Sequence, residues 1–264
     1  MYQKLYGVRR KMKKAVIITV AGISSRFNES FDDKYLKAIY FEENFFETLL
    51  YKILEKCSFA DLIIIVGGYR YDELKNYISK ILDENLQKKI LLVFNEFFAK
   101  YSSGYSLFLG LQRAFEEKVS EIIFIEGDLE FDEKSFSKVI NSVKDVITCN
   151  NIPIDSKKSV VVYKNSENLF KYAFNSKHGL LKIEEEFSCI FNSGQCWKFQ
   201  NIELLRLANE DFKKKSVADT NLKIIQKYFD NISADDVDVI FFERWLNCNT
   251  REDYKKAKKF WREK

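Results

Sequence analysis

The feature that most constrains the fold is an alternation of short apolar runs with helix-length amphipathic segments through the first 150 residues. The first run, residues 15–21 (AVIITVA), is continuously apolar, as in a strand that is covered on both faces. Across residues 45–57 the apolar side chains instead recur at helical spacing. Repeated strand–helix order predicts an α/β fold with a mostly parallel, mixed central sheet flanked by helices, the Rossmann-like arrangement.

The same reading extends along the whole chain and predicts one continuous unit over residues 15–264 without a linker or an internal repeat. The predicted strands are 15–21, 61–66, 90–94, 121–125, 159–163, 180–184, 188–199 and 237–242. The predicted helices are 45–57, 71–82, 102–115, 134–143, 201–212, 219–228 and 250–261.

Charge and cysteine usage exclude several classes of protein. The 43 basic and 39 acidic residues leave a net charge of +4, which is too balanced to predict a nucleic-acid partner. The five cysteines show no C-x-x-C spacing, so we expect free thiols in a reducing cytoplasm and no zinc site. The longest apolar run is too short to cross a bilayer, and no signal-peptide pattern is present. Residues 1–14 contain six Lys or Arg and are expected to form a solvated basic extension.

The loop Val20-Ala21-Gly22-Ile23-Ser24-Ser25-Arg26 directly follows the first predicted strand. Ligands of open α/β sheets bind beyond the carboxyl ends of the strands, where such loops gather. A glycine lets backbone amides approach a phosphate, and the arginine can neutralise its charge. A structural turn followed by a surface arginine fits the same residues, so the loop alone does not distinguish a phosphate-binding loop from a structural turn.

Other nucleotide-binding and hydrolase motifs fit less well. The loop has one glycine where a dinucleotide fingerprint needs three, and no G-x-x-x-x-G-K-S/T segment occurs. A Ser-His-Asp hydrolase would have to use His178, the only histidine, which we expect to be an exposed turn residue. Because histidine is scarce, we expect catalysis to depend on carboxylates, cations and a metal ion.

Polar residues also follow two later predicted strands. Residues 126–128 (EGD) come directly after the fourth strand, where a carboxylate can anchor Mg²⁺ beside phosphates. A solvated acidic turn explains the same segment. Asn247 and Asn249 follow the last strand and would face the same sheet edge, although Thr250 and Asp253 also fit a helix capping box there.

These segments, in this order, resemble the nucleotidyltransferase family with a GT-A-like α/β fold, which includes sugar-1-phosphate nucleotidyltransferases and bacterial CTP:phosphocholine cytidylyltransferases. The family's Leu/Ala-Ala-Gly-x-Gly-Ser/Thr-Arg-Leu/Phe loop is similar to residues 20–27 (VAGISSRF), and its Pro-Lys-Ala-Leu element to residues 36–39 (LKAI). Its Asp-Gly-Asp metal motif is similar to residues 126–128, and its closing Asn-Thr-x-Glu-Asp element to residues 249–253 (NTRED). Residues 95–107 resemble the Asn…Tyr…Asn-x-x-Ser-Leu segment of the cytidylyltransferases, which lies against the base.

Three positions depart from the family pattern. Ser24 stands where the family has a second loop glycine, Leu36 replaces the proline, and Glu126 replaces the first aspartate of the metal motif. The first departure bears on how closely a phosphate can pack against the loop.

The resemblance implies a Mg²⁺-dependent cytidylyltransferase that transfers CMP from CTP to a small phosphorylated or phosphonate metabolite, such as phosphocholine, and releases pyrophosphate. A sugar-1-phosphate nucleotidyltransferase using UTP, GTP or dTTP remains an alternative, as does a non-catalytic nucleotide-binding module on the same fold. The resemblance further implies that residues 15–150 bind nucleotide, residues 151–249 bind the acceptor and residues 250–264 form a C-terminal helix. Whether the chain forms a homo-oligomer stays open.

The resemblance also assigns roles to individual residues. Arg26, Lys37 and Asp128 would be catalytic, and Asp128 with Asn249 would hold Mg²⁺. The expected nucleotide contacts are Val20, Ala21, Gly22, Ile23, Ser24, Ser25, Arg26, Asn95, Ser102, Ser103, Gly104, Ser106 and Glu126. The candidate acceptor contacts are Lys164, Lys182, Trp197 and Asp219, of which Trp197 could enclose a quaternary ammonium by cation–π contact.

Overall fold

The structure is a computed structural model and describes residues 13–29, 31–174 and 180–263. Its strands are β1 (Lys14–Thr19), β2 (Leu62–Gly67), β3 (Ile90–Phe94), β4 (Glu121–Glu126), β5 (Leu129–Phe131), β6 (Asp145–Asn150), β7 (Val161–Asn165), β8 (Phe170–Tyr172), β9 (Phe187–Phe199), β10 (Val237–Phe242) and β11 (Trp245–Asn247). A mixed sheet joins them in the order β10-β6-β9-β4-β1-β2-β3, with β7 and β8 added beside β9, and a separate two-stranded sheet pairs β11 with β5. The predicted fold class is confirmed.

Helices cover both faces of this sheet. None of those in the described ranges is long and apolar enough to span a membrane. The helices are α1 (Ser25–Asn28), α2 (Leu49–Lys56), α3 (Tyr71–Ile81), α4 (Glu84–Gln87), α5 (Ser103–Glu116), α6 (Glu133–Asn141), α7 (Ile202–Lys215), α8 (Leu222–Phe229) and α9 (Arg251–Arg262).

The apolar runs form strands because their two faces belong to two separate cores. On β1, Ile17 packs into the core beneath α5, whereas Val16 and Ile18 pack into the core on the opposite face. On β2, Ile64 joins the first core and Ile63 the second. A strand that is buried on both faces has no polar side, which explains the continuous apolar sequence.

The three central strands run parallel and therefore end at one edge of the sheet. β1 pairs in parallel with both β2 and β4, and Thr19 is in register with Glu126. β9 runs antiparallel between β4 and β6, so residues before and after position 150 share one sheet. The loops that leave β1, β2 and β4 consequently meet above the same edge, where ligands of α/β sheets bind.

Several predicted boundaries were wrong. Helix α2 begins at Leu49 and not at residue 45, because the Thr48 hydroxyl accepts a hydrogen bond from the Tyr51 amide and starts the helix there. Helix α8 begins at Leu222 and not at residue 219. Residues 180–184 form no strand; Lys182 and Glu184 are paired with each other at the surface.

Other differences concern the ends of the chain and short strands. Lys14 opens β1 and so does not belong to a loose extension, whereas residues 1–12 of the predicted basic extension lie outside the described residues. His178, predicted as an exposed turn residue, also lies outside them. The sequence reading missed β6 and the three-residue strands β5, β8 and β11.

Candidate active site

A cavity of about 310 Å³ opens at the carboxyl ends of β1 and β4 and at the start of α5. Its volume lies at the lower end of the range typical of small-molecule sites. Its lining comes from the loop after β1, the segment around Lys37, the turn after β4, the start of α5, and two asparagines from the C-terminal part of the chain, Asn221 and Asn249.

The loop after β1 is anchored to the neighbouring strand β2. The Val20 amide donates to the Val66 carbonyl at 2.8 Å, and the Ala21 carbonyl accepts from the Tyr69 amide at 3.1 Å. Beyond these anchors Gly22 is exposed, and a Cβ added there would meet no atom within 4 Å. The loop thus leaves open space beside Gly22, on the side that lines the cavity.

Ser24 keeps the backbone conformation that a glycine would adopt easily. Its φ is 56° and its ψ is 34°, in the left-handed region, which costs a non-glycine residue about 1–2 kcal/mol. Its hydroxyl accepts a hydrogen bond from the Lys37 amide at 3.3 Å. The substitution of the family's glycine therefore preserves the shape of the loop and ties it to the segment that carries Lys37.

Four of the predicted site residues contact one another in the cavity. The Lys37 ammonium donates to Asp128 Oδ2 at 2.8 Å and to Asn249 Oδ1 at 3.2 Å. The Arg26 guanidinium donates to the same Asn249 oxygen at 2.9 Å. The side chains of Lys37 and Asp128 are 18% and 22% exposed, so solvent and ligands reach this ion pair. Two cations, a carboxylate and an amide from distant parts of the sequence form one cluster.

The backbone of Asp128 is held from two sides. The preceding Gly127 amide donates to the Thr19 carbonyl at 3.1 Å, and a Cβ at this glycine would lie 2.6 Å from that carbonyl oxygen. The Asp128 carbonyl in turn accepts from the Cys248 amide at 2.7 Å. Only glycine allows β4 to turn this tightly against β1, and the turn aims Asp128 into the cavity.

The C-terminal segment is fixed above the same edge by its helix and by aromatic packing. Thr250 and Asp253 form the predicted capping box at the start of α9. Tyr254 packs against Phe27 and Tyr40, and its hydroxyl donates to the Glu47 carbonyl at 2.9 Å. This packing joins α9 to the loop that carries Arg26 and so places Asn249 beside it.

The residues present fit a Mg²⁺ ion that is shared with bound phosphates. Asp128 Oδ1 is buried and has no hydrogen-bond partner, while Oδ2 is taken by Lys37. A buried carboxylate oxygen without a partner is costly, and a cation would satisfy it. Within the described ranges no group of three or more His, Cys, Asp or Glu residues could hold a metal by itself. Mg²⁺ is commonly held by one or two carboxylates with substrate phosphates and waters, so two protein ligands suffice.

Glu126 is a second carboxyl group in the cavity lining. Burial, and next the negative charge of Asp128, raise the pKa of Glu126 to about 8, although a hydrogen bond from Asn221 Nδ2 at 2.8 Å and the charge of Lys37 act in the opposite direction. Near pH 7 this carboxyl is mostly protonated. The ion pair of Lys37 with Asp128 and the additional Arg26 then leave the cavity with an excess of positive charge, which suits a polyphosphate.

The start of α5 forms another wall. Asn95 is buried; its Nδ2 donates to the Ser106 hydroxyl at 2.9 Å and its Oδ1 accepts from the Phe97 amide at 2.9 Å, so it builds the turn before the helix. Ser102 and Ser103 are exposed at the N-terminus of this 14-residue helix, where the helix dipole favours negative charge.

Gly104, which the resemblance implied as a nucleotide contact, does not line the cavity. A Cβ at this position would lie 2.5 Å from the Asp219 carbonyl oxygen, and the Gly104 amide donates to that oxygen at 3.1 Å. Gly104 therefore allows the segment before α8 to pack closely on α5. The other predicted nucleotide contacts all line the cavity.

The four predicted acceptor contacts do not line the cavity. Trp197 is fully buried, stacks on Phe124 and donates its indole N–H to the Tyr172 hydroxyl, and it does not line the cavity. Lys164 and Lys182 are absent from the cavity lining within the described ranges. Asp219 also stays outside the lining, where its carbonyl holds α5 and its side chain is exposed.

Three of the lining residues that were not predicted as contacts are Asn221, Phe98 and Tyr101. Asn221, just before α8, donates to Glu126; Phe98 and Tyr101 lie in the loop between β3 and α5. Tyr101 fell within the segment that resembles the cytidylyltransferases, which was a usable signal. Nothing in the sequence distinguishes Asn221, because its partner lies 95 residues away.

Several solved structures that share this fold are named as enzymes that transfer a nucleotide. The chain is similar to the inositol-1-phosphate CTP transferase from T. maritima, with a TM-score of 0.63 and 16% identity over 94% of this chain and 96% of that one. It is similar to the CTP:phosphocholine cytidylyltransferase from Streptococcus pneumoniae, with a TM-score of 0.63 and 12% identity over 95% and 100%. It also resembles a putative glucose-1-phosphate thymidylyltransferase from Bacillus anthracis, with a TM-score of 0.63 and 12% identity over 95% and 96%. These similarities establish a GT-A-like nucleotidyltransferase fold.

Sequence comparison gives the family. No curated protein matches the sequence significantly. Residues 33–261 match the family described as "Domain of unknown function (DUF6564)", a segment that includes Lys37, Asp128 and Asn249. The chain therefore belongs to this family.

Proposed function

We propose that this chain is a nucleotidyltransferase that transfers CMP from CTP to a small phosphorylated or phosphonate metabolite and releases pyrophosphate, with Mg²⁺ as its cofactor. The observation that carries the proposal is the cluster of Arg26, Lys37, Asp128 and Asn249 in a cavity at the carboxyl edge of the sheet. The resemblance of the same residues to the family motifs supports it independently.

The residues of the cluster can promote this reaction by position and charge. An oxygen of the acceptor's phosphate attacks the α-phosphorus of the triphosphate, a new P–O bond forms, and the bond to pyrophosphate breaks. The acceptor oxygen is already anionic near neutral pH, so no general base is needed. Lys37 and Arg26 lower the barrier by neutralising charge on the transferred and departing phosphates.

Asp128 and Asn249 are the residues that would hold Mg²⁺. Bound there, the ion would neutralise phosphate charge next to the reacting phosphorus. Asn249 Oδ1 is engaged by Arg26 and Lys37 in the ligand-free protein, so these cations must turn toward the phosphates before the oxygen can serve as a ligand. Asp128 Oδ1 requires no such exchange, because it has no partner.

A second candidate is a sugar-1-phosphate nucleotidyltransferase using UTP, GTP or dTTP. One observation favours it over a phosphocholine-type acceptor. Trp197, the residue proposed to surround a quaternary ammonium, is fully buried, whereas the cavity lining is rich in hydroxyl and amide groups. Such groups suit a polyhydroxylated acceptor. The segment around Asn95 and Ser106 favours CTP by its resemblance to the cytidylyltransferases.

Pyrophosphate release distinguishes these candidates. CTP, UTP, GTP and dTTP would each be incubated with Mg²⁺ and choline phosphate, aminoethylphosphonate or glucose-1-phosphate. We expect release for CTP with one acceptor, and a loss of about 10²–10³-fold in Lys37→Met, as for the removal of one preorganised charge contact. Lys138→Met, at an exposed position of α6, is the matched control. Binding of a nucleotide without release from any pair would support the non-catalytic alternative.

A further inference from the structure

Three carboxamides lead from the interior of the sheet to the cations of the cavity. Gln195 Oε1 accepts a hydrogen bond from Asn247 Nδ2 at 3.2 Å, and Asn247 Oδ1 accepts from Asn249 Nδ2 at 2.7 Å. The carboxamide oxygen of Asn249 accepts from Arg26 and Lys37. We call Gln195, Asn247 and Asn249 the amide relay.

The first member of the relay occupies a strained backbone position. Gln195 is 3% exposed and has a φ of 56°, in the left-handed region that non-glycine residues rarely adopt. It lies where the register between β6 and β9 shifts, between Ile147 and Cys149. Bulges of this kind redirect side chains near functional sites, and strain concentrates at such sites.

The bulge is fixed by its own hydrogen bonds. The Thr148 hydroxyl donates to the Cys196 carbonyl at 2.7 Å and accepts from the Cys196 amide at 3.1 Å. The Trp245 indole donates to the Gly194 carbonyl at 2.8 Å. The last of these bonds joins β11 to β9 and so fixes the position of Asn247 relative to Gln195.

The relay matters because the two ends of a carboxamide are not equivalent. The oxygen accepts hydrogen bonds and ligates cations, whereas the nitrogen only donates. If the Asn249 amide turned over, its NH₂ group would face Arg26 and Lys37, which are also donors, and no amide oxygen would point toward them. The hydrogen bond from Asn249 Nδ2 to Asn247 prevents this orientation.

We propose that Gln195 and Asn247 are positioning residues that keep the carboxamide oxygen of Asn249 directed at Arg26, at Lys37 and at the place where Asp128 and Asn249 would hold Mg²⁺. The proposal rests on the proposed function for its consequence in catalysis. Gln195 and Asn247 do not themselves line the cavity, within the part of the chain that the structure describes. They act through Asn249 only.

Two substitutions at position 247 test the relay. Asn247→Leu has nearly the same shape but removes the acceptor for Asn249 Nδ2. Asn247→Asp keeps an acceptor at that place, and the Gln195 amide can rotate to donate to its other oxygen. Calorimetric titration with inorganic pyrophosphate and Mg²⁺ should show affinity reduced about 10–100-fold in Asn247→Leu, the usual effect of losing a group that orients a metal ligand. Asn247→Asp should restore most of that affinity.

A second readout does not depend on ligand binding. In protein labelled with ¹⁵N-asparagine, the side-chain amide of Asn249 is identified by the signal that disappears in Asn249→Asp. We expect slow hydrogen exchange of this amide in the wild type and in Asn247→Asp, and fast exchange in Asn247→Leu. Thermal unfolding checks that each variant folds. If Asn247→Leu does not fold, Gln195→Met replaces it, because it removes the acceptor for Asn247 Nδ2.

The outcomes separate the two proposals. Unchanged exchange of the Asn249 amide in the folded Asn247→Leu variant would overturn the relay, as would unchanged pyrophosphate affinity. If the wild type bound no pyrophosphate with Mg²⁺, the proposed function would fail, and hydrogen exchange would still decide whether the relay exists.

Discussion

Asp128 presents one carboxylate oxygen to Lys37 and leaves the other buried and without a partner. Asp128→Asn keeps the size of the side chain and removes its charge, so it should reduce pyrophosphate release about 10²–10³-fold at saturating Mg²⁺. Steady-state rates with the preferred substrates measure this effect. Asp72→Asn, which removes an exposed surface carboxylate on α3, is the control. Wild-type turnover in Asp128→Asn would refute the role of this residue.

Ser24 combines backbone strain with a useful hydrogen bond, and two substitutions separate them. Ser24→Ala keeps the left-handed conformation but loses the bond to the Lys37 amide, so the free energy of unfolding should fall by about 1 kcal/mol. Ser24→Gly loses the same bond but relieves the strain, and should be more stable than Ser24→Ala by about 1 kcal/mol. Urea unfolding measures both; equal stability of the two variants would contradict the strain argument.

The predicted site residues that the structure brings together come after strand ends. Arg26 lies beyond the loop that leaves β1, Asp128 lies two residues after β4, and Asn249 lies two residues after β11. The direction of a side chain within a long strand is harder to predict. Trp197 lies near the C-terminal end of the 13-residue strand β9, where its sequence neighbours do not show whether its face is covered, and the structure buries it completely.

At the scale of elements, the turn that joins β4 to Asp128 depends on a close approach of two strands. In Gly127→Ala the added methyl would collide with the Thr19 carbonyl oxygen, so we expect a loss of about 1–3 kcal/mol in unfolding free energy together with reduced activity. Gly22→Ala is the matched comparison, since its methyl meets only open space. It should change stability by less than about 0.5 kcal/mol and weaken nucleotide binding. A loss of stability in Gly22→Ala as large as in Gly127→Ala would contradict this reading of the two turns.

Elements were predictable where their sequence pattern was long. β1, β2 and β4 are continuous apolar runs, and their positions were found to within two residues. Strands β5 and β11 have three residues each and pair only with one another, so neither contains a periodic pattern. β6 was not predicted because Thr148 and Asn150 interrupt its apolar sequence. Both residues are buried, and their side chains donate hydrogen bonds to carbonyl groups of β9.

At the scale of the whole molecule, β9 lies in the middle of the sheet and brings residues from the second half of the chain against β4. Trp197 is part of this contact, so Trp197→Phe should lower the unfolding free energy by about 1–3 kcal/mol through lost packing and the lost hydrogen bond to Tyr172. The KM for the acceptor should stay unchanged. A raised KM with unchanged stability would restore Trp197 as an acceptor contact.

We propose that the cavity at the sheet edge binds a nucleoside triphosphate through Arg26 and Lys37. Calorimetric titration of the wild type with CTP and Mg²⁺, with UTP, GTP and dTTP in parallel, tests it most directly. We predict saturable one-to-one binding of CTP and an affinity at least about tenfold weaker in both Arg26→Ala and Lys37→Ala, because each removes a charge-assisted hydrogen bond. If no triphosphate binds, or if both variants bind as tightly as the wild type, the claim is contradicted.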